Sequence, residues 1–264
     1  MTIKFSLVLI LLIFSLQGWA QVQPLPNAHA HNDYEHERPL LDALANGFTS
    51  VEADVYLING ELYVYHDRPE TIDPNRTLEK LYLEPLSRIV EKNNGHVYKG
   101  YESFFHLMID FKTEGESTYQ VLKAQLEKYE VMLSRVMDGE REMDKPVLVF
   151  ISGSRPVETI INESVNLATL DGRPSDLGRG FSTEKMPVIS QNYWSISNWN
   201  GEGTIDELNR QKLSDVIDQA HAEGKKVRFW AIPDNPNTWK AMLELGVDFV
   251  NTDKLAEFRS FSKK

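Results

Sequence analysis

Hydrophobic and polar residues form two patterns that alternate along the chain. Apolar runs of strand length are separated by segments in which apolar residues recur every three or four positions, as on the buried side of a helix. The predicted strands are residues 25–30, 51–57, 106–112, 146–152, 167–170, 187–191, 227–232 and 247–252. Strands that alternate with helices predict a parallel sheet joined by helical crossovers.

Helical spacing is clearest in three segments. Their apolar stripes are Leu40, Leu41 and Leu44; Leu122, Leu126, Tyr129, Leu133 and Val136; and Leu213, Val216, Ile217 and Ala220. Residues 204–207 resemble a capping box at the start of the third helix, and Gly224 ends that helix. A further helix is predicted over residues 236–246, before the eighth strand.

Eight parallel strands with intervening helices predict a TIM barrel, the (β/α)8 fold of the α/β class. A doubly wound open sheet is the alternative. No internal repeat, low-complexity tract or proline-rich linker divides the chain, so we expect a single domain. Both architectures bind ligands at the carboxyl ends of their strands, so both place a site at the same residues.

The N-terminus has the pattern of an exported protein. A short basic start is followed by an apolar run over residues 5–16 and by Gly18-Trp19-Ala20. This predicts a signal peptide over residues 1–20 and a mature domain over residues 21–264. A membrane anchor is the alternative, but the apolar run is shorter than the ~20 residues that cross a bilayer. We therefore expect a periplasmic or secreted protein without a transmembrane segment in the mature chain.

Composition excludes several classes of protein. The chain has no cysteine, so it has neither a disulfide framework nor a site for a cysteine-linked lipid. Its net charge is −11, and removal of Lys4 with the signal peptide makes the mature chain more negative by one unit. No basic stripe is present to neutralise phosphates, so we expect no nucleic-acid partner. A phosphorylated substrate stays possible, because a metal ion at the site can outweigh distant charges.

Acidic residues alternate with apolar ones on the second and third predicted strands. Glu52 and Asp54 are two positions apart, so their Cα atoms are ~6.6 Å apart on one face and both carboxylates can reach one cation. Asp110 and Lys112 repeat the arrangement on the third strand. Three carboxylates without cysteine favour a hard cation such as Mg²⁺ or Ca²⁺ over zinc. The alternative is a buried ion-pair layer, but Lys112 alone cannot balance three carboxylates.

Two histidines are predicted to lie near these carboxylates. His31 ends the first strand, and His66 follows a short strand that returns from a turn at Asn59-Gly60. Imidazoles beside a metal suit general acid and base catalysis, although each histidine can instead be a hydrogen-bonded structural residue. A two-residue hairpin loop would place Asp67 opposite Glu52, whereas a three-residue loop with a bulge at Gly60 would place His66 there. The pattern leaves this register open.

Four short motifs together resemble a known superfamily. They are His31-Asn32-Asp33-Tyr34, Glu52-x-Asp54, His66-Asp67 and Asp110-x-Lys112. In this order and spacing they resemble the PI-PLC-like phosphodiesterases, which include glycerophosphodiester phosphodiesterases and sphingomyelinase D-type phospholipases. The chain is most similar to the branch called altered inheritance of mitochondria protein six, whose members begin with a similar His-Asn-Asp-Tyr motif. The resemblance spans most of the mature chain.

The resemblance implies a TIM barrel that holds one divalent cation, Mg²⁺ or Ca²⁺, on Glu52, Asp54 and Asp110. It also implies acid and base roles for His31 and His66, and we assign His31 as the base and His66 as the acid. It favours the bulged register of the hairpin.

Four further residues are expected to bind the substrate. The resemblance implies a phosphate contact from Lys112. Asn32 stands where glycerophosphodiesterases have the arginine of a His-Arg-Gly motif, so the contact of that arginine is not carried over. Trp230, near the end of the seventh strand, either closes the pocket on a headgroup or fills the barrel. Asn251 ends the eighth strand, where similar positions in the family line the site.

The implied activity is hydrolysis of a small-molecule or lipid phosphodiester, of a phospholipid-derived or glycerophosphodiester type. The nucleophile is a neighbouring substrate hydroxyl, which gives a cyclic phosphate, or water. The insertion that many glycerophosphodiesterases carry after the second strand is reduced here to about residues 67–100, so glycerol specificity is not implied. In the polar stretch over residues 153–184, Arg155 or Arg173 is placed to meet a phosphate.

Two other functions fit part of the pattern. His29-x-His31 on a first barrel strand also resembles the start of a metal-dependent amidohydrolase. That class needs further histidines at the ends of the fifth and sixth strands, and none occurs between Ile151 and Ala220. A binding barrel without turnover is the other possibility, but a pure binder has no need of two proton-transfer groups such as His31 and His66.

Overall fold

The computed structural model describes residues 22–263 and contains a closed barrel. Its strands are β1 (Leu25–Ala30), β2 (Phe48–Ile58), β3 (Phe105–Phe111), β4 (Val147–Gly153), β5 (Ala168–Gly172), β6 (Val188–Asn192), β7 (Lys226–Trp230) and β8 (Phe249–Thr252). All eight pair in parallel and in chain order, and β1 pairs with both β2 and β8. The predicted single-domain TIM barrel is confirmed. The open sheet is wrong, because the pairing of β1 with β8 closes the ring.

Helices surround the barrel. They are α1 (Leu41–Ala45), α2 (Glu84–Lys92), α3 (Gly115–Glu127), α4 (Val157–Asn162), α5 (Glu207–Ala222), α6 (Pro236–Leu245) and α7 (Leu255–Phe261). A π-helical turn, Glu79–Leu83, leads into α2. The connection from β5 to β6 has a single 3₁₀ turn, Pro174–Asp176, in place of an α-helix. This short connection leaves that side of the barrel mouth to loops.

Two details of the predicted helices are wrong. Helix α3 ends at Glu127, so Leu133 and Val136 lie beyond it even though they continue its spacing. Both are buried in extended segments, where Leu133 bridges to Val147 and Val136 belongs to a small three-stranded sheet. Helix α5 begins at a different cap, because the side chain of Asp206 accepts a hydrogen bond from the Asn209 backbone N–H.

The fifth strand is longer than the sequence predicts. The predicted strand ends at Leu170, but Asp171 and Gly172 also belong to β5, where they pair with Val188 and Ile189 of β6. Asp171 is fully buried, and its carboxylate accepts a hydrogen bond from the Ser152 hydroxyl. A polar residue is tolerated in the barrel interior here because its charge is hydrogen-bonded.

A hairpin extends β2 beyond the barrel. β2 turns at Asn59 and Gly60, both with positive φ, into the antiparallel strand Glu61–Val64. Ile58 pairs with Glu61, so the loop has two residues and the bulged register is wrong. An Asn-Gly pair in left-handed conformations matches the twist of the two strands without a bulge.

The barrel interior has an apolar floor under a polar layer. The floor residues are Met108, Leu148, Phe150, Val188 and Phe249, and all are buried. Nearer the carboxyl ends of the strands, the inward positions become charged or polar, which places a polar layer at the mouth. This is the end at which TIM barrels carry their active sites.

The N-terminal signal peptide predicted over residues 1–20 lies outside the described residues. Among the helices of residues 22–263, none has the length and apolar character needed to cross a membrane.

Candidate active site

Three carboxylates converge at the carboxyl ends of β2 and β3. One oxygen from each of Glu52, Asp54 and Asp110 lies within 4.8 Å of the other two. The strands set this arrangement, because Glu52 and Asp54 share one face of β2 and Asp54 is paired in register with Asp110. Oδ1 of Asp54 is buried and accepts no hydrogen bond from any described residue. An unpartnered anionic oxygen beside two further carboxylates fits a divalent cation held by oxygen ligands.

Gly153, at the end of β4, makes room for this cluster. Its φ is +68°, and a Cβ at this position would overlap Oδ1 of Asp110 and the carbonyl oxygen of Phe111. The approach of the β4 backbone to Asp110 therefore requires glycine.

Lys112 follows β3 and lies against the carboxylates. Its Nζ is 2.8 Å from Oδ2 of Asp54 and 3.4 Å from Oδ2 of Asp110. Burial would lower the pKa of Lys112, but the two carboxylates raise it above its ordinary value. Lys112 is therefore a fixed positive charge at the edge of the cluster.

The carboxylates differ in their electrostatic environment. Burial and the charges of Glu52 and Asp110 raise the pKa of Asp54 to about 7. Burial would also raise the pKa of Glu52, but the hydrogen bond with His29 and the charges of His31 and Arg228 hold it well below its ordinary value. The site thus concentrates negative charge that its own cations only partly offset.

His31 lies beside Glu52 at the end of β1. Its Nδ1 is 2.9 Å from Oδ1 of Asp253, and its Nε2 is 4.0 Å from Oε2 of Glu52. Burial would lower the pKa of His31, but the hydrogen bond to Asp253 and the charge of Glu52 raise it above its ordinary value. Asp253 therefore fixes the orientation of the ring and leaves Nε2 directed to the cluster side.

His66 reaches the cluster from the hairpin. Its Nδ1 is 3.5 Å from Oδ2 of Asp54 and 3.0 Å from the hydroxyl of Tyr34. The Tyr34 hydroxyl also donates to Oδ2 of Asp54, at 2.7 Å. Tyr34 is fully buried, so it forms a rigid link between the first-strand turn and the hairpin. His66 comes close to Asp54 because the residue pairing between β2 and the hairpin strand ends at Val64.

A second polar layer supports the cluster from below. His29 lies within hydrogen-bonding distance of Ser50 and 3.4 Å from Glu52. Burial lowers the pKa of His29 to about 4, so its imidazole is neutral at physiological pH. Arg228 of β7 is also buried, with NH1 3.5 Å from Glu52 and NH2 3.7 Å from Asp171.

All predicted site residues except Asn251 open onto one cleft of about 490 Å³. The cleft residues that the sequence predicts as site residues are His31, Asn32, Glu52, Asp54, His66, Asp110, Lys112 and Trp230. Trp230 is 38% exposed, so it lies at the cleft and does not fill the barrel. The structure therefore brings together residues that are up to 199 positions apart.

Asn32 and Asn251, two of the predicted substrate contacts, differ in their surroundings. The amide oxygen of Asn32 lies 2.8 Å from the Tyr34 hydroxyl oxygen, and the φ of Asn32 is +48°. Asn251 is buried next to His29, and its amide group has no hydrogen-bond partner among residues 22–263. It lines a smaller cavity beside His31 and does not line the main cleft.

Sequence reasoning missed the roles of several residues in this region. They are Tyr34, Ser152, Asp171 and Arg228. Tyr34 was visible within the first motif, but nothing in the pattern indicates a contact with Asp54. The alternation of Asp171 with Arg173 indicates one polar strand face, but the predicted fifth strand ends before it, at Leu170.

Comparisons with known proteins agree with this geometry. Residues 18–169 match the AIM6-like phosphodiesterase domain. Altered inheritance of mitochondria protein 6 from Eremothecium gossypii is 31% identical over 274 residues, which cover 91% of this chain and 70% of the relative. The chain belongs to the AIM6-like phosphodiesterase family. The resemblance noted from the four motifs is thereby confirmed.

Further relatives extend the match. The family homologue from Arthroderma benhamiae is 28% identical over 260 residues, covering 88% of this chain and 82% of the relative. Residues 226–256 match the glycerophosphoryl diester phosphodiesterase family. Both family models are described as phosphodiesterases, which favours a phosphodiesterase over the amidohydrolase alternative.

Two solved structures share the fold. A glycerophosphodiester phosphodiesterase from Agrobacterium tumefaciens has a TM-score of 0.51 and 13% identity, with 91% of this chain and 100% of that chain covered. A phosphodiesterase from Oleispira antarctica, solved with its product sn-glycerol-3-phosphate, has a TM-score of 0.53 and 18% identity, with 91% and 98% covered.

Proposed function

We propose that the protein is an exported phosphodiester hydrolase that requires one divalent cation. The observation that carries the proposal is the clustering of Glu52, Asp54 and Asp110 within 4.8 Å, with His31 and His66 on the same cleft. Membership of a phosphodiesterase family supports this reaction class. The product bound to the Oleispira antarctica neighbour supports a small glycerophosphodiester or phospholipid-derived substrate.

Glu52, Asp54 and Asp110 would hold Mg²⁺ or Ca²⁺. Their oxygen-only donor set suits a hard cation, and the unpartnered Oδ1 of Asp54 provides a free ligand atom. When bound, the cation would offset negative charge on the phosphoryl group during the reaction.

His31 is suited to act as the general base. Asp253 holds Nδ1, so Nε2 is free to accept the proton of the attacking hydroxyl or water. The acidic partner strengthens the base, because it stabilises the imidazolium that forms. The oxygen then attacks phosphorus as the bond to the leaving alkoxide breaks.

His66 is suited to act as the general acid. Its Nδ1 faces Tyr34 and Asp54, which leaves Nε2 to donate a proton to the leaving alkoxide. Lys112 would stabilise the phosphoryl oxygens, while Asn32 and Trp230 would contact the rest of the substrate. Asn251 would do so only from the smaller cavity beside His31. When the nucleophile is a neighbouring hydroxyl, the product is a cyclic phosphate.

The decisive experiment is a screen of substrates and cations. The purified mature chain would be incubated with glycerophosphocholine, lysophosphatidylcholine, sphingomyelin and glycerol 3-phosphate, each with Mg²⁺, Ca²⁺ or EDTA. We expect cation-dependent cleavage of at least one diester, with the product identified by mass spectrometry. Cleavage of the monoester alone would overturn the proposal and indicate a phosphatase.

The cluster itself is tested by Glu52→Gln. We expect this variant to lose turnover and cation affinity together, because the substitution removes a buried anionic ligand while it preserves shape. Calorimetric titration with Mg²⁺ and Ca²⁺ measures the second effect independently of any substrate. An active variant with unchanged cation dependence would refute the ligand assignment.

Export is tested separately. Expression of the full chain in a bacterium, followed by N-terminal sequencing of the extracytoplasmic fraction, should give a chain that begins at Gln21. A chain that keeps residues 1–20 and stays in the cytoplasm would contradict the proposed localisation.

A further inference from the structure

Among residues 22–263, three lysine or arginine side chains line the cleft, and two of them already contact carboxylates of the cluster. Lys112 contacts both Asp54 and Asp110, at 2.8 and 3.4 Å. Arg228 is only 3% exposed, and its three nitrogens face Glu52, Asp171 and Ser190. Arg228 cannot turn to a ligand without losing its contacts with the buried carboxylates of Glu52 and Asp171, which is costly, and Lys112 has only its remaining N–H to offer a phosphoryl oxygen.

Arg173 is different, because its hydrogen bonds use only part of its guanidinium. NH1 donates to Oδ2 of Asp171 at 2.9 Å, to the carbonyl oxygen of Asp171 at 3.2 Å and to that of Gly172 at 2.9 Å. NH2 donates to the Ser152 hydroxyl at 3.1 Å. The hydrogen bonds with described residues therefore leave Nε–H and the second N–H of NH2 without an acceptor.

The guanidinium is also fixed in place. Asp171 is fully buried at the end of β5, and its carboxylate accepts hydrogen bonds from both Ser152 and Arg173. Because these partners stay inside the barrel wall, the side chain of Arg173 is oriented before any ligand binds. A guanidinium held in this way loses little conformational entropy when it binds an anion.

Arg173 and the two histidines line the same cleft but come from different strands. Ser152, which contacts NH2, is paired in register with Asp110 on the neighbouring strand. His31 and His66 approach the same cluster from β1 and from the hairpin after β2. An anion bound at the carboxylate cluster would therefore lie in the cleft that Arg173 also lines.

We propose that Arg173 is a phosphate-binding residue, which donates Nε–H and NH2 to the non-bridging oxygens of the substrate phosphodiester and of the phosphate product. The inference rests on the proposed function, since it names the group that recognises its phosphate. A planar fork with two free N–H groups matches the spacing of two phosphate oxygens, and such charge-assisted pairs are among the stronger hydrogen bonds. Asp171 is then a positioning residue that acts through Arg173.

The test is binding of inorganic phosphate, which needs no turnover. Calorimetric titrations would use the mature chain, Arg173→Gln, Arg173→Lys and Arg179→Gln, each with Mg²⁺ and each with EDTA. Arg179 is the matched control, because it is a neighbouring arginine that is 56% exposed, contacts Asp176 and does not line the cleft. We expect Arg173→Gln to weaken phosphate binding at least about tenfold in both buffers and Arg179→Gln to leave it within about twofold.

Arg173→Lys keeps the charge but loses the fork, so we expect an intermediate loss of affinity. If circular dichroism shows that Arg173→Gln does not fold, Arg173→Lys serves as the test variant in its place. Phosphate affinity in the folded Arg173 variants equal to that of the unmodified chain would overturn the proposal, as would an equal loss in Arg179→Gln or no phosphate binding by the unmodified chain.

Kinetics separate this inference from the proposed function. With a diester that is cleaved, we expect Arg173→Gln to raise KM more than it lowers kcat. If no diester is cleaved by the unmodified chain, the proposed hydrolase activity fails, but the phosphate titrations still decide whether Arg173 binds an anion.

Discussion

At the scale of single residues, Gly153 shows how closely the backbone constrains the acidic cluster. The residue has a positive φ, and its Cα faces Asp110 and the backbone of Phe111. A side chain here would meet backbone atoms that cannot move aside without disturbing β3. The position of one cluster carboxylate therefore depends on a residue that has no chemistry of its own.

We predict that Gly153→Ala lowers the free energy of unfolding by about 1–3 kcal/mol and weakens cation binding. The cause is combined strain in φ and displacement of Asp110. Gly180→Ala is the control, since Gly180 has a φ of +78° and open space around its Cα. That variant should lose ~1 kcal/mol and keep its cation affinity. Urea denaturation and calorimetry measure the two effects, and equal results for both variants would contradict the prediction.

Asp33 is a buried acid outside the cluster. Its Oδ2 accepts hydrogen bonds from the Leu40 backbone N–H at 2.5 Å and from the Tyr82 hydroxyl at 2.9 Å. Burial raises the pKa of Asp33 to about 7, although both hydrogen bonds act in the opposite direction. The folded state therefore keeps the proton of Asp33 over a range in which the unfolded chain has lost it.

We predict that Asp33 makes stability depend on pH. Since the folded pKa is raised, its contribution is fully present below pH ~4 and is lost as the pH rises through about 7. Relative to Asp33→Asn, the unmodified chain should lose on the order of 2–3 kcal/mol between pH 5 and pH 8. Urea unfolding in EDTA at both pH values measures this difference. A constant gap between the two proteins would show that Asp33 is charged when folded.

At the scale of elements, the hairpin after β2 delivers one of the two histidines. The turn at Asn59-Gly60 fixes the strand Glu61–Val64, and His66 follows two residues later. The side chain of Gln125 on α3 donates to Glu61, so the hairpin is also tied to the helical layer. The position of His66 is therefore a property of the whole hairpin.

We predict that Gly60→Ala lowers stability by ~1 kcal/mol and reduces turnover on the order of tenfold, because strain in the turn shifts His66. Gly139→Ala is the control. Gly139 also lies in a two-residue turn, with a φ of +86° and nothing within 4 Å of an added Cβ, but in the small sheet remote from the cleft. We expect a lower kcat in Gly60→Ala than in Gly139→Ala in steady-state kinetics, and similar melting temperatures for the two variants. Equal activity in both would disprove the link between turn and histidine.

Secondary structure was predictable where the pattern of apolar and polar residues fits only one type of element. The strand Leu25–Ala30 follows directly from the sequence, because apolar and polar residues alternate and a turn follows. The pattern fails at Leu133 and Val136, since buried extended residues there continue the spacing of α3 by chance. It also fails for the hairpin, because the contact of His66 depends on where the chain leaves the ladder, which periodicity does not encode.

At the scale of the whole molecule, cation binding and folding should be coupled. The ligands come from two strands, and Gly153 on a third packs against them, so the complete site exists only when the barrel is closed. The chain has no cysteine, so no disulfide holds it together. A ligand that binds the folded state alone shifts the unfolding equilibrium in its favour.

We predict that Mg²⁺ or Ca²⁺ raises the melting temperature and that EDTA reverses the effect. A cation at one hundred times its Kd should add ~2.7 kcal/mol to the free energy of unfolding. Asp110→Asn, which keeps the shape of a ligand but removes its charge, should show little or no shift. Sodium chloride at equal ionic strength controls for screening. A similar shift in Asp110→Asn would place the cation elsewhere.

The architecture and the cluster were predictable from sequence, but the supporting layer was not. Glu52 and Asp54 share a strand face by simple alternation, and their order with Asp110 matched a family pattern. Tyr34, Asp171 and Arg228 act through contacts with residues far along the chain, which no local pattern reports. Asn251 was placed on the correct strand, but its depth depends on the register between β1 and β8.

The apolar floor formed by Met108, Leu148, Phe150, Val188 and Phe249 closes the barrel below the polar layer. Among the residues that the structure describes, the polar layer is therefore reached from the cleft at the carboxyl ends of the strands. Under the proposed function, substrate and phosphorylated product would bind in this same cleft. We therefore expect the product to compete with the substrate, so that the reaction slows as product accumulates.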